Sequence, residues 1–92
     1  MMLLSEEDGR SAVSLAREAL RAAVLHEKLR PPPLPPVFSG KRGVFVTLNR
    51  DGELRGCIGI PLPVMPLGEA IIEAATSAAL RDPRFMPVTP EE

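Results

Sequence analysis

Apolar residues along this chain fall into patterned stretches separated by proline-rich or glycine-containing breaks. The first pattern is helical. Ala12, Ala16, Ala19, Leu20, Ala23 and Val24 recur at three- and four-residue spacing and define one stripe. Arg10, Arg17, Glu18, Arg21, Glu27 and Lys28 fall mostly elsewhere. Ser5-Glu6-Glu7-Asp8 opens the helix, because the Ser5 hydroxyl can accept from an early backbone N–H and the acids sit at the positive end of the helix dipole. Asp8, standing where a capping box has Glu or Gln, makes that box imperfect. The run Pro31-Pro32-Pro33 forbids continuation and pushes the residue before it out of the α region. The pattern predicts a helix near residues 6–28.

Residues 31–36 read as a stiff extended spacer with overlapping PxxP spacings, either a rigid helix-to-strand loop or an SH3-type ligand. The loop is the preferred reading, because nothing flexible presents the segment. Residues 43–48 are apolar and β-branched, Asn49-Arg50-Asp51-Gly52 carries turn chemistry, and a second extended run covers 53–60. The two runs predict a β-hairpin over 43–60. Pro61, Pro63 and Pro66 exclude a further central strand, and Pro66 suits the first turn of a second helix. Leu67, Ala70, Ile71, Ala74, Ala75, Ala78 and Ala79 give that helix a broad face, with Glu69 and Glu73 outside it, and Asp82-Pro83 ends it near residue 81. So much alanine implies close approach by whatever covers the face. Thr89-Pro90-Glu91-Glu92 has the form of a helix or turn start. An element that begins there, and a sheet with so few strands, predict a domain that continues beyond this chain. The fold class is α+β.

Composition sharpens the picture in two places. Aromatic residues are only 3% of the 92, so the core must be aliphatic, and a chain this short carries a thin stability margin. Eleven Lys and Arg against twelve Asp and Glu are interspersed, which disfavours a phosphate-backbone binding surface and hence nucleic acid. Cys57 is the single cysteine, so neither an intrachain disulfide nor a thiolate zinc site can form. No GxGxxG or P-loop points to a nucleotide cofactor. Met1 to Asp8 lacks the basic and apolar regions of a secretory signal, and no apolar stretch could span a bilayer. The expectation is a cytosolic, or nuclear, protein without metal or cofactor.

The distinctive segment is Leu54-Arg55-Gly56-Cys57-Ile58-Gly59. Together with Gly43-Val44-Phe45-Val46-Thr47-Leu48 before the turn, and Arg81-Asp82-Pro83-Arg84-Phe85 and Pro87-Val88-Thr89-Pro90-Glu91-Glu92 after it, the segment resembles the AMMECR domain family, whose microbial members are called AmmeMemoRadiSam system protein A. The resemblance covers essentially the whole chain. It implies a longer domain with a large and a small α+β subdomain, each with an antiparallel sheet, and residues 54–59 facing the cleft between them. It implies no established activity. The family's name and gene neighbourhood point to Memo-type and radical-SAM proteins as pathway or complex partners, and its cleft has been read as suited to a large partner.

Each residue of the segment carries a structural and a functional reading. Cys57 can be a buried small hydrophobe, a ligand-facing residue or a nucleophile; a catalytic thiolate needs a nearby cation, helix N-terminus or His base. Arg55, two residues away on a regular strand, would share its face and supply that cation. Arg55 could equally be structural, paired with Asp82, or an anchor for a ligand carboxylate or phosphate. Gly56 and Gly59 mark a bulge, a bend or close backbone approach, with packing against the second helix favoured at Gly59 and Gly56 left open. Arg81, Asp82 and Arg84 close the second helix, with Phe85 in the core, and are secondary candidates for binding. His26 is read as a solvated surface residue. The leading functional reading is a binding or adaptor module that presents residues 54–59; the alternatives are a Cys57-dependent enzyme and a purely structural subunit.

Overall fold

A computed structural model describes residues 4–92. Met1 to Leu3, part of the stretch read above for a signal sequence, lie outside the described residues. Helix α1 (Glu6–Leu25) leads through a single 3₁₀ turn (Pro36–Ser39) to strands β1 (Val44–Arg50) and β2 (Glu53–Ile60), and helix α2 (Leu67–Leu80) follows. The architecture is α+β, with one antiparallel two-stranded sheet.

The start of α1 corrects an expectation. Ser5 Oγ accepts from Asp8 N–H at 3.0 Å, and Asp8 Oδ2 accepts from Ser5 N–H at 3.0 Å, so the shorter acid completes the box. The end of α1 corrects another. The helix closes at Leu25, three residues before the predicted limit, because exposed His26 takes φ 56° and Glu27 N–H turns back to the Ala22 carbonyl at 2.8 Å. Local closure therefore acts before the prolines do. The spacer also ends early: Pro36 opens the 3₁₀ turn, which drives Phe38 into the core.

All seven residues of the second apolar face are buried, and α2 packs against α1, against both strands and against the 3₁₀ turn. Alanine at 70, 74, 75, 78 and 79 is what lets one helix lie close to neighbours on several sides. Leu15, Phe38, Leu67 and Ile71 form one part of the core; Ala19, Val46, Ala74 and Ala75 form the other. Leu15 is absent from the predicted α1 stripe yet is fully buried, since it faces α2 one position before Ala16. No described helix is long and apolar enough to cross a membrane.

Asp51 (φ 52°) and Gly52 (φ 81°) form a two-residue turn with both residues left-handed, the geometry whose twist matches a hairpin. Beyond α2, the chain folds back along the sheet, anchored by Val88 N–H to the Ala79 carbonyl at 2.8 Å. Phe85 is only half-buried and lies outside the core, against the guanidinium groups of Arg84 (5.4 Å) and Arg55 (6.0 Å).

Leu15 is the largest fully buried side chain, so Leu15→Ala should remove about 2–5 kcal/mol of stability through the cavity it leaves. Urea unfolding followed by helix circular dichroism checks this. A loss below about 1 kcal/mol would mean that the α1–α2 contact collapses around the change.

Candidate functional site

The register of β1 and β2 sets the site. Val44 pairs with Ile60, Phe45 with Gly59, Val46 with Ile58, Thr47 with Cys57 and Leu48 with Gly56. Asn49 then pairs with Leu54 and Arg50 with Glu53, so Arg55 is the extra residue of a β-bulge. Side chains alternate between faces. Val44, Val46 and Leu48 belong to or pack on the core, which assigns their partners Ile60, Ile58 and Gly56 to the α2 side. Phe45, Thr47, Cys57 and Gly59 occupy the opposite face, where Thr47 Oγ1 and Cys57 Sγ lie 3.4 Å apart.

The close packing against α2 expected at Gly59 falls instead at Gly56, whose role the sequence left open. A Cβ at Gly56 would strike the Ala78 carbonyl, so Gly56 is the residue that admits α2. A Cβ at Gly59 would strike the Phe45 ring, which lies across the strand on the outer face.

Arg55 is not a partner of Asp82. Its Nε donates to Glu92 Oε2 at 2.7 Å and its Nη2 to Glu92 Oε1 at 3.0 Å, a bidentate pair, with a further bond to the Pro87 carbonyl at 3.2 Å. Glu92 also takes Arg50 at 3.1 Å, and through Oε1 it accepts from the N–H (3.1 Å) and hydroxyl (3.2 Å) of Thr89. Chiefly because of the Arg55 hydrogen bonds, the Glu92 carboxyl titrates at about 2, below its ordinary 4.5. The pair sits in a cleft of about 320 Å³ between α1 and the hairpin tip, bordered by Arg17, Arg21, Leu20 and Leu48. Glu92 was legible only as the acid of a turn start; its reach to Arg55 depends on the fold.

Asp82 has a different task. Its side chain is only 2% exposed. It accepts from Arg84 Nη2 (2.8 Å), Arg84 Nε (3.0 Å), Cys57 N–H (3.0 Å) and Arg84 N–H (3.0 Å). Led by the Arg84 hydrogen bonds, these hold its carboxyl well below the ordinary carboxylate range, and Arg84 is raised in return. Arg84 Nη2 also donates to the Cys57 carbonyl at 3.4 Å. Together Asp82 and Arg84 satisfy both main-chain groups of Cys57, as a neighbouring strand would. The cation beside Cys57 is therefore Arg84 and not Arg55, which the bulge re-aims toward Glu92. Arg81 lies apart, paired with Glu73 at 3.3 Å on the surface, and His26 is exposed at the end of α1. Among the described residues, no group of three or more His, Cys, Asp and Glu is placed to hold a metal ion.

The AMMECR1 family pattern matches residues 13–92, most of the chain. This chain belongs to the AMMECR1 family. An archaeal relative from Methanothermobacter thermautotrophicus is 57% identical, covering 97% of this chain and 47% of its own length. One from Methanocaldococcus jannaschii is 53% identical, covering 100% and 47%. The crystal structure of uncharacterized protein PH0010 from Pyrococcus horikoshii superposes with a TM-score of 0.85 at 47% identity, over 94% of this chain and 46% of that one. The AMMECR1-family chain described here thus spans about half the length of the relatives it matches.

The glycine geometry yields unequal losses for the same substitution. Gly56→Ala must displace helix backbone and should cost several times more stability than Gly59→Ala, which needs only an exposed ring to swing aside. Thermal melts of the two variants check the order; equal losses would contradict it. The Glu92 shift gives a pH prediction. Its folded value is depressed, so its contribution is complete above the ordinary carboxylate value of 4.5 and is lost as pH falls toward about 2. Glu92→Gln should therefore lower stability at pH 7 and flatten its decline between those limits, as read from urea midpoints across pH.

Proposed function

We propose that this AMMECR1-family chain is a binding module, receiving a protein or other large ligand on the hairpin face that carries Phe45, Thr47 and Cys57. The observation that carries the reading is the uncovered state of that face. The core lies on its other side, and Phe45 is 68% exposed, with its ring spread over Gly59. Leu54, 43% exposed, extends the apolar surface toward the hairpin tip. An exposed aromatic on an open sheet face suits a large partner better than a small molecule, which is held in a concavity. Arg84, with its side chain 55% exposed, adds a cationic border beside Cys57. The family resemblance makes Memo-type and radical-SAM proteins the first partners to test, in the cytosolic or nuclear setting that suits a free thiol.

One observation favours a second reading, an enzyme using Cys57: the Arg84 guanidinium, the kind of neighbouring cation a catalytic thiolate needs, donates to the Cys57 carbonyl at 3.4 Å. The two readings separate by mutation. With purified Memo-type and radical-SAM proteins as probes, Phe45→Ser should weaken capture about tenfold or more, with unchanged helix circular dichroism. Near-isosteric Cys57→Ser should leave capture almost intact. Capture that survives Phe45→Ser combined with Thr47→Lys means the face is the wrong one, and turnover lost with Cys57→Ser alone would favour the enzyme.

A further inference from the structure

The spacer between α1 and the 3₁₀ turn carries chemistry that a connection alone does not use. Every residue of 30–35 except Pro33 is followed by proline, which disfavours the α region, and the prolines fix their own φ. The backbone is therefore held extended, and Pro35, at φ −57° and ψ 153°, has polyproline II geometry. With three residues per turn, Arg30, Pro33 and Pro36 share one edge, and all three are exposed. Leu34, on another edge, is half-buried and packs onto the cluster of Leu15, Phe38, Leu67 and Ile71. Its Cδ1 would lie 3.1 Å from a Cβ at Gly68, so the side chain rests on the start of α2. One edge of the segment is thus pinned to the core while another is turned out. Among the described residues, no carboxylate pairs with the Arg30 side chain. Stiffness requires prolines; it does not require an unpaired cation in register with two of them.

We infer that this edge is a docking surface for a domain of the SH3 type, whose aromatic-lined groove takes Pro33 and Pro36 and whose acidic rim takes Arg30. Flexibility, which the spacer lacks, is not needed. A segment already extended and anchored at Leu34 gives up little conformational entropy on binding. Beside Pro32 and Pro33 a recess of about 290 Å³, bordered by Glu7, Arg10, Ser11 and Ser14 of α1, leaves room for the wall of the groove. The spacer remains the connection between helix and sheet, and its outer edge does a second task. The hairpin face proposed above takes no part in it.

Titration of an SH3 domain that binds Arg-x-x-Pro-x-x-Pro peptides tests this, read by the emission of the tryptophan in its groove. The chain described here contains no Trp or Tyr, so any change arises in the groove. The intact chain should saturate the signal below about 1 mM, and at least as tightly as a free peptide of residues 28–37. Pro33→Ala and Arg30→Glu should each weaken binding about tenfold or more, with helix circular dichroism unchanged. Pro31→Ala, on the edge shared with Leu34, should change it by less than about twofold. No saturation, or equal losses for Pro31→Ala and Pro33→Ala, would overturn the inference. So would binding of the peptide without binding of the intact chain, because the fold would then cover the edge. Saturation of a WW domain with the SH3 domain silent would also overturn it, by giving the edge to a different kind of groove.

Discussion

The close approach of α2 to β2 at Gly56 is the constraint from which the rest of the site follows. With no side chain at Gly56, the Ala78 carbonyl comes down onto the strand. The helix then ends two residues later, and Asp82 arrives at the height of Cys57, with its carboxylate 3.0 Å from that N–H. Arg84 is drawn to Asp82, Phe85 is set between the guanidinium groups of Arg84 and Arg55, and the chain continues to Glu92, which grips Arg55. Each contact positions the next. The 81–92 segment, which has little regular structure, is ordered by charge and hydrogen bonding more than by apolar burial.

Local periodicity made the helices and hairpin readable, and α2 was read almost residue by residue because its face is wide and its alanines leave no ambiguity. The α1 face was read one position off at Leu15, since an alanine-rich stripe constrains the direction of burial weakly. The site was legible as a segment but not as an arrangement. A regular strand would have put Arg55 beside Cys57, and no local signal reveals the bulge that separates them. Asp82 and Glu92 were both visible as acids, yet which arginine each would take depends on the path of the chain after α2. Long-range pairing of this kind has no sequence period to betray it.

The segment at 54–59 is thus divided. Arg55 and Gly56 serve the interior and the cleft beside α1, whereas Cys57 and Gly59 belong to the outer face. Asp82 and Arg84 are linked to the outer face without forming it, because they hold the backbone from which Cys57 projects. An arginine that is 19% exposed and holds both oxygens of a carboxylate through two N–H groups on one edge of its fork is a fastening within the chain.

The single residue inserted at Arg55 also decides the parity of everything after it. Were the ladder regular from the turn onward, with Arg50 opposite Glu53 and no residue skipped, Cys57 would stand across from Val46 and point under α2, and Ile58 would be turned outward. The thiol would then be an interior packing group, beyond the reach of any partner. Whether this chain displays a sulfur or hides it is settled by one unpaired residue, two positions before the cysteine itself.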